Sequence, residues 1–137
     1  MQFKVHDWMM DLVVFIDPDA TVSEALAIMR RRYIQSLIVR KTSEHAYGIV
    51  TSRDISDKIV AQERNPRETR VKEIMTSPLI TVSPEMTLQQ CAAIMRDNHI
   101  HHLPVQDETG DIIGMIAAAD FLVAAEAMGR NPGEKLS

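Results

Sequence analysis

The sequence is written twice. Slid along itself by 66 residues, residues 5–55 fall on residues 71–121 without a gap. In that register Val5/Val71, Met9/Met75, Pro18/Pro84, Thr21/Thr87, Ile28/Ile94, Met29/Met95, Arg30/Arg96, Ile34/Ile100, Leu37/Leu103, Val39/Val105, Gly48/Gly114 and Asp54/Asp120 are identical pairs. Ile16/Val82 and Ile49/Met115 keep their character. An uninterrupted register of this length implies two copies of one structural unit. A single copy of about 60 residues is marginal for burying a helix pair and a sheet. Two copies packed face to face about a pseudo-two-fold axis overcome that limit.

Each copy has the same internal order. A short extended piece, "LVVFI" or "LITV", runs into Asp17-Pro18 or Ser83-Pro84, a turn and helix-start signal. Thr21 with Glu24 and Thr87 with Gln90 have capping-box spacing, and Ala25, Ile28 and Met29 recur at helical intervals. The run Arg30 to Arg32 has the look of a basic patch, but at a helix C-terminus it first complements the helix dipole. A strand follows, "YIQSLIVR" or "HIHHLPVQ", then a polar turn, a second strand "YGIV" or "IIGMI", and a second helix. That helix is expected from Ile55 to about Arg64 in the first copy and from Phe121 to Met128 in the second, where Gly129 and "NPG" stop it. The expected architecture is therefore α/β, two β-α-β-β-α units. The first covers residues 3–64 and the second 71–128, with a linker at 65–70 and a tail at 129–137.

Bulk properties exclude several classes. The net charge of −4, a pI of about 5.7 and the lack of a long basic run argue against nucleic acid or an anionic membrane as partner. No apolar stretch approaches the roughly 20 residues of a membrane span, and "MQFKVHDWMMD" does not read as a signal peptide. The single Cys91 permits no internal disulfide, which fits a reducing cytoplasm. The nine methionines are read as adaptable core filler rather than a ligand box.

The stretch "NHIHHLPV" concentrates His99, His101 and His102 within four positions. A zinc site needs three or four converging ligands. Adjacent strand residues point to opposite faces, so His101 and His102 do not converge, and no metal site is expected. Cys91 sits within an amphipathic helix as a small core residue, and no nucleophile–base pair is evident, so no enzymatic activity is expected.

The doubled pattern of "IMTSPLITVSP", a capped helix, "HIHHLPV" and "GIVTSRD" resembles the CBS domain, and two in tandem resemble a Bateman module. The likeness covers roughly residues 3 to 128, leaving no room within that span for a fused catalytic domain. It implies a non-enzymatic regulatory module with two clefts, each drawing on both repeats. The expected ligand is an adenosine nucleotide (AMP, ADP or ATP), with no catalytic cofactor. A homodimer and a regulated protein partner are also implied.

In the first cleft the resemblance assigns Asp54 to the ribose hydroxyls and Thr51 to a phosphate oxygen at a helix N-terminus. Asp54 is expected on an exposed helix start, and Thr51 to Asp54 also has capping-box spacing. Arg53 is expected to face solvent. His101 and His102 occupy positions where the family often carries a phosphate-contacting pair, His101 being preferred, with Ile100 packing on the base and Ser77 lining its edge. The second cleft keeps Asp120 but has Ala117 in place of the threonine, followed by Ala118 and Ala119. Its other residues are Ile34, Gln35, Ser36 and Asp11, so it is expected to bind phosphorylated ligands more weakly. The homodimer is expected to bury apolar helix stripes such as Ala124, Ala125 and Met128, and the alternative function is a structural dimerisation or partner-docking module with decayed clefts.

Overall fold

The computed structural model describes residues 3–129. In chain order its elements are α1 (Val5–Trp8), β1 (Phe15–Ile16), α2 (Val22–Arg32), β2 (Ser36–Val39), β3 (Gly48–Thr51), α3 (Ser52–Ile55), α4 (Val71–Ile74), α5 (Leu88–Asn98), β4 (His102–Gln106), β5 (Ile112–Ala117) and α6 (Asp120–Met128). A π-helical turn, Ser56–Val60, continues α3. Among the described residues no helix is long and apolar enough to cross a membrane.

The chain forms two compact units that cut across the sequence repeat. Val14–Leu79 make one; the residues up to Val13 join those from Ile80 onward in the other. The leading segment of each copy, α1 or α4, thus packs with the sheet of the other copy. The identical pairs explain how. In one unit the thioether of Met75 lies over Gly48, where an added Cβ would come within 2.7 Å of the sulfur. In the other, Met9 lies over Gly114 at the same 2.7 Å. Met9/Met75 and Gly48/Gly114 are therefore one contact made twice, and glycine is required because the neighbouring segment needs the space of a side chain.

In the 14–79 unit β1 pairs in parallel with β2, and β2 pairs antiparallel with β3. Thr76 adds a further bridge to Ile49, exchanging two hydrogen bonds of 2.9 Å. In the other unit β4 and β5 pair antiparallel, and Met10 bridges Met115 in the same way. The strand expected at "LITV" is reduced there to a single parallel bridge between Val82 and Val105. Pro104 is the cause. Its counterpart Ile38 donates its N–H to Val14 at 3.0 Å, whereas a proline has no N–H to give. Only Gln106 N–H to Val82 O and Val82 N–H to Pro104 O remain.

The helices obey the capping chemistry read from sequence. Thr21 with Glu24, and Thr87 with Gln90, form complete capping boxes at α2 and α5. Val22, Ala25 and Met29 bury one face of α2; Leu88, Cys91 and Met95 bury the matching face of α5. Each large apolar side chain withdrawn in this way contributes about 1.5–3 kcal/mol. The second helix of the first copy starts at Ser52, earlier than the expected Ile55, because Thr51 caps it, and regular helix ends at Val60 rather than near Arg64. The expected linker is not free chain: Arg70 bridges Thr21, as Lys4 bridges Thr87 in the other unit.

Two expectations need correction. Ala124, assigned to a dimer stripe, is 3% exposed and belongs to the core of its own unit, where it packs with Val5, Leu103 and Ile116. Methionine is not uniformly core filler: Met29 and Met95 are buried, but Met10 and Met128 are exposed. Of the expected tail only Gly129 is described, at the C-cap of α6; the "NPG" stop lies outside the described residues.

Candidate functional site

Thr51 ends β3 and caps α3, and this geometry holds Asp54 in place. Thr51 donates its N–H to Asp54 Oδ2 at 2.9 Å and its hydroxyl to the same oxygen at 3.3 Å. Lys58 Nζ donates to Oδ1 at 2.9 Å, and Thr76 Oγ1 donates to it at 3.3 Å. The same ammonium also reaches Ile74 O at 2.8 Å. Asp54 is consequently 7% exposed, which corrects the expected exposed helix start. One turn of helix brings Lys58 back over the carboxylate, and the Ile49–Thr76 bridge lays a hydroxyl against it, so protein donors replace water. A ribose hydroxyl reaching either oxygen would have to displace one of them, most readily Thr76 or Lys58.

The same unit carries Ile34, Gln35, Ser36 and Ser77. Gln35 O accepts the N–H of Ser52, and Ser36 stands opposite Thr51 in the β2–β3 register, so these two residues flank the Asp54 turn. Ile34 packs against the core cluster. Ser77 is exposed and donates its hydroxyl to Tyr47 O at 3.0 Å. Arg53 is exposed, as expected, with its guanidinium 3.6 Å from Asp57.

The other unit repeats the turn with fewer polar groups. Among the described residues Asp120 Oδ2 accepts the Ala117 N–H alone, at 2.8 Å, where Thr51 gives Asp54 Oδ2 two hydrogen bonds. One turn later Ala124 stands in place of Lys58, so this helix position brings no ammonium to Asp120. His101 is exposed, and its carbonyl accepts the N–H of Ala118. His102 is half-buried opposite Ala117 in the β4–β5 register. Burial lowers its pKa below the ordinary 6.5; neighbouring His101 adds to this and Asp120 opposes it. Ile100 packs against the core cluster, and Asp11 is exposed in this unit.

The three histidines therefore do different things. His99 closes α5 in the left-handed conformation (φ 53°), the role Tyr33 plays for α2. His101 faces solvent and His102 turns inward. Among the described residues no group of three or more His, Cys, Asp or Glu side chains is placed to hold a metal ion. Burial pushes the Cys91 thiol up to about 11, leaving it an apolar filler within α5.

Lys58 and Thr76 are the site residues that sequence reasoning missed. Lys58 had a signal, its position four residues after Asp54 on one helix face. Thr76 had none, since a tertiary bridge delivers it.

Residues 5–61 and 71–127 each match the CBS domain. The chain belongs to the CBS-domain family. This CBS pair is 38% identical over 110 residues to the mitochondrial CBS domain-containing protein CBSX3 of Arabidopsis thaliana; the match covers 77% of this chain and 53% of that one. The chain thus spans about half the length of that relative. Among solved structures it matches a hexameric CBS-CP12 protein from bloom-forming cyanobacteria. There the TM-score is 0.86 and the identity 30%, over 99% of this chain and 78% of that one. It shares its fold with the CBS domain pair of protein MJ0100, in complex with 5′-methylthioadenosine and S-adenosyl-L-methionine. For that pair the TM-score is 0.81 and the identity 23%, over 93% of this chain and 99% of that one.

Proposed function

We propose that this CBS pair is a non-catalytic regulatory module that binds an adenosine-containing molecule, with AMP, ADP or ATP as the first ligands to test. The observation that carries the reading is the Thr51–Asp54 turn. It presents a fixed carboxylate beside two hydroxyls and an ammonium at a strand–helix junction. A carboxylate accepts from a pair of ribose hydroxyls, while hydroxyl and ammonium donors suit phosphate. The adenosine ligands of the MJ0100 pair support the same chemistry for a chain of this fold.

Binding at Asp54 offers a means of transmission. A ribose that displaces Lys58 also frees Ile74 O, so ligand occupancy loosens the tie between the π-helical turn and α4. Ser77, in the same unit, is the proposed companion of this position, and Asp120, with His102 in its own unit, is the proposed weaker position. Cytoplasmic placement belongs to the same proposal, although the Arabidopsis relative shows that such a pair also serves in mitochondria.

One observation favours self-association, either alongside ligand binding or in place of it. Leu122 and Met128 on α6 are 74% and 73% exposed, more apolar surface than a short helix usually leaves in water. A homodimer is proposed, and the related CBS-CP12 protein is hexameric.

A thermal-shift series with AMP, ADP, ATP, S-adenosylmethionine, 5′-methylthioadenosine, NAD and zinc tests the reading. A ligand present at 100 times its Kd adds about 2.7 kcal/mol to stability, so at least one adenosine compound should raise Tm while zinc does not. If no adenosine compound moves Tm but Tm climbs with protein concentration, the module is a structural docking unit instead.

A further inference from the structure

The C-terminal end of α2 carries charge that the fold does not use. Among the described residues Arg30 and Arg31 make no ion pair and no side-chain hydrogen bond. They line an open depression of about 740 Å³ together with Tyr33, Ile34 and Gln35. Tyr33 is 95% exposed and sits in the left-handed conformation (φ 55°), so its ring is held out in water at the rim.

Helix-dipole compensation does not account for this end. Arg96 takes the place of Arg30 at the end of α5, so that role is common to both repeats. Beyond it the repeats part. Asp97 and Asn98 replace Arg31 and Arg32; Asp97 neutralises Arg96 at 3.0 Å, and Asn98 bonds back to Ile94 O. One repeat ends in a self-neutralised turn and the other in a row of guanidinium groups that find no ion pair among the described residues, beside an aromatic ring.

We propose that this depression binds the phosphate chain of a nucleoside polyphosphate, with Arg30 and Arg31 taking phosphate oxygens and Tyr33 offering its ring to the base. Guanidinium groups form paired hydrogen bonds with phosphate oxygens, and an exposed aromatic face gains from stacking on a base. The organic half of the ligand rests on the adenosine reading above, while the anion site stands on the arginines alone. The consequence is a preference for di- and triphosphates over monophosphates, which the Asp54 turn by itself does not provide.

Calorimetric titration of the full chain without added divalent cation tests this, using ATP, AMP and inorganic tripolyphosphate. Wild type should bind tripolyphosphate in a salt-sensitive way and ATP more tightly than AMP. The paired substitution Arg30→Gln and Arg31→Gln should weaken ATP and tripolyphosphate by about tenfold or more while leaving AMP unchanged. Tyr33→Ala should weaken ATP but not tripolyphosphate, and Arg96→Gln should change nothing. An unaltered ratio of ATP to AMP affinity in the paired variant, or no binding of tripolyphosphate to wild type, overturns the site. If AMP still binds in that case, the adenosine reading survives without it. If tripolyphosphate binds through the arginines while no adenosine compound binds, the anion site stands and the adenosine reading falls.

Discussion

Lys58 Nζ lies 2.9 Å from Asp54 Oδ1 and 2.8 Å from the carbonyl oxygen of Ile74. One ammonium thereby ties a buried carboxylate on α3 to the end of α4. With Thr51 and Thr76 on the remaining lone pairs, Asp54 is part of the folded structure before any ligand arrives.

Asp54→Ala should therefore destabilise the protein rather than leave its fold untouched. The substitution removes a helix cap, about 1 kcal/mol, and strips Lys58 and Thr76 of their acceptor, which raises the total to about 1–3 kcal/mol. Urea denaturation of wild type and variant measures this directly. A variant as stable as wild type would mean the network contributes nothing.

The methionine–glycine contacts make a graded prediction. An added methyl at Gly114 meets the Met10 carbonyl oxygen at 2.9 Å as well as the Met9 sulfur. At Gly48 the nearest backbone atom is Thr76 O at 3.2 Å, and the 2.7 Å neighbour is a flexible thioether. Both alanine substitutions should destabilise, Gly114→Ala by about 1–3 kcal/mol and Gly48→Ala by less. Equal unfolding midpoints for the two variants would contradict the assigned contacts.

His102 should make stability depend on pH. Its folded pKa is lowered, by burial first and by His101 second, against the pull of Asp120. The unfolded chain thus takes up the proton near the ordinary 6.5 while the folded chain resists it. The contribution of neutral His102 is complete above that value and is lost as pH falls through the lowered folded pKa. Urea midpoints across this range should fall with acidity in wild type, and His102→Gln should remove part of the slope. Identical slopes would place His102 in water.

Much of this structure was legible because it is local. Thr21 with Glu24, Thr87 with Gln90, and the apolar spacing of Ala25 and Met29 lie within single turns of helix, so spacing alone identifies them. The repeat register was equally clear. What it does not specify is which sheet a leading segment joins, because Met9 and Met75 satisfy the same register whether they pack on their own copy or on the other. Pro104 shortened a strand that composition favoured, through one missing N–H whose partner lies on another segment. The burial of Asp54 was illegible for the same reason: Thr51 and Lys58 come from close in sequence, but Thr76 arrives across a bridge from 22 residues away.

The most direct test of the account is calorimetric titration of AMP into wild type, Asp54→Asn, Asp120→Asn and Ala117→Thr. Asp54 has the hydroxyls of Thr51 and Thr76 and the ammonium of Lys58 about it, while Asp120, among the described residues, has a single backbone N–H. A hydrogen bond to a charged phosphate contributes about 1.5–3 kcal/mol, so the two positions should differ by about tenfold or more. The predicted result is one tight site per chain that Asp54→Asn abolishes and Asp120→Asn spares, with a weaker second site that Ala117→Thr strengthens. Two equal sites indifferent to Asp54→Asn, or no binding heat at all, would contradict it.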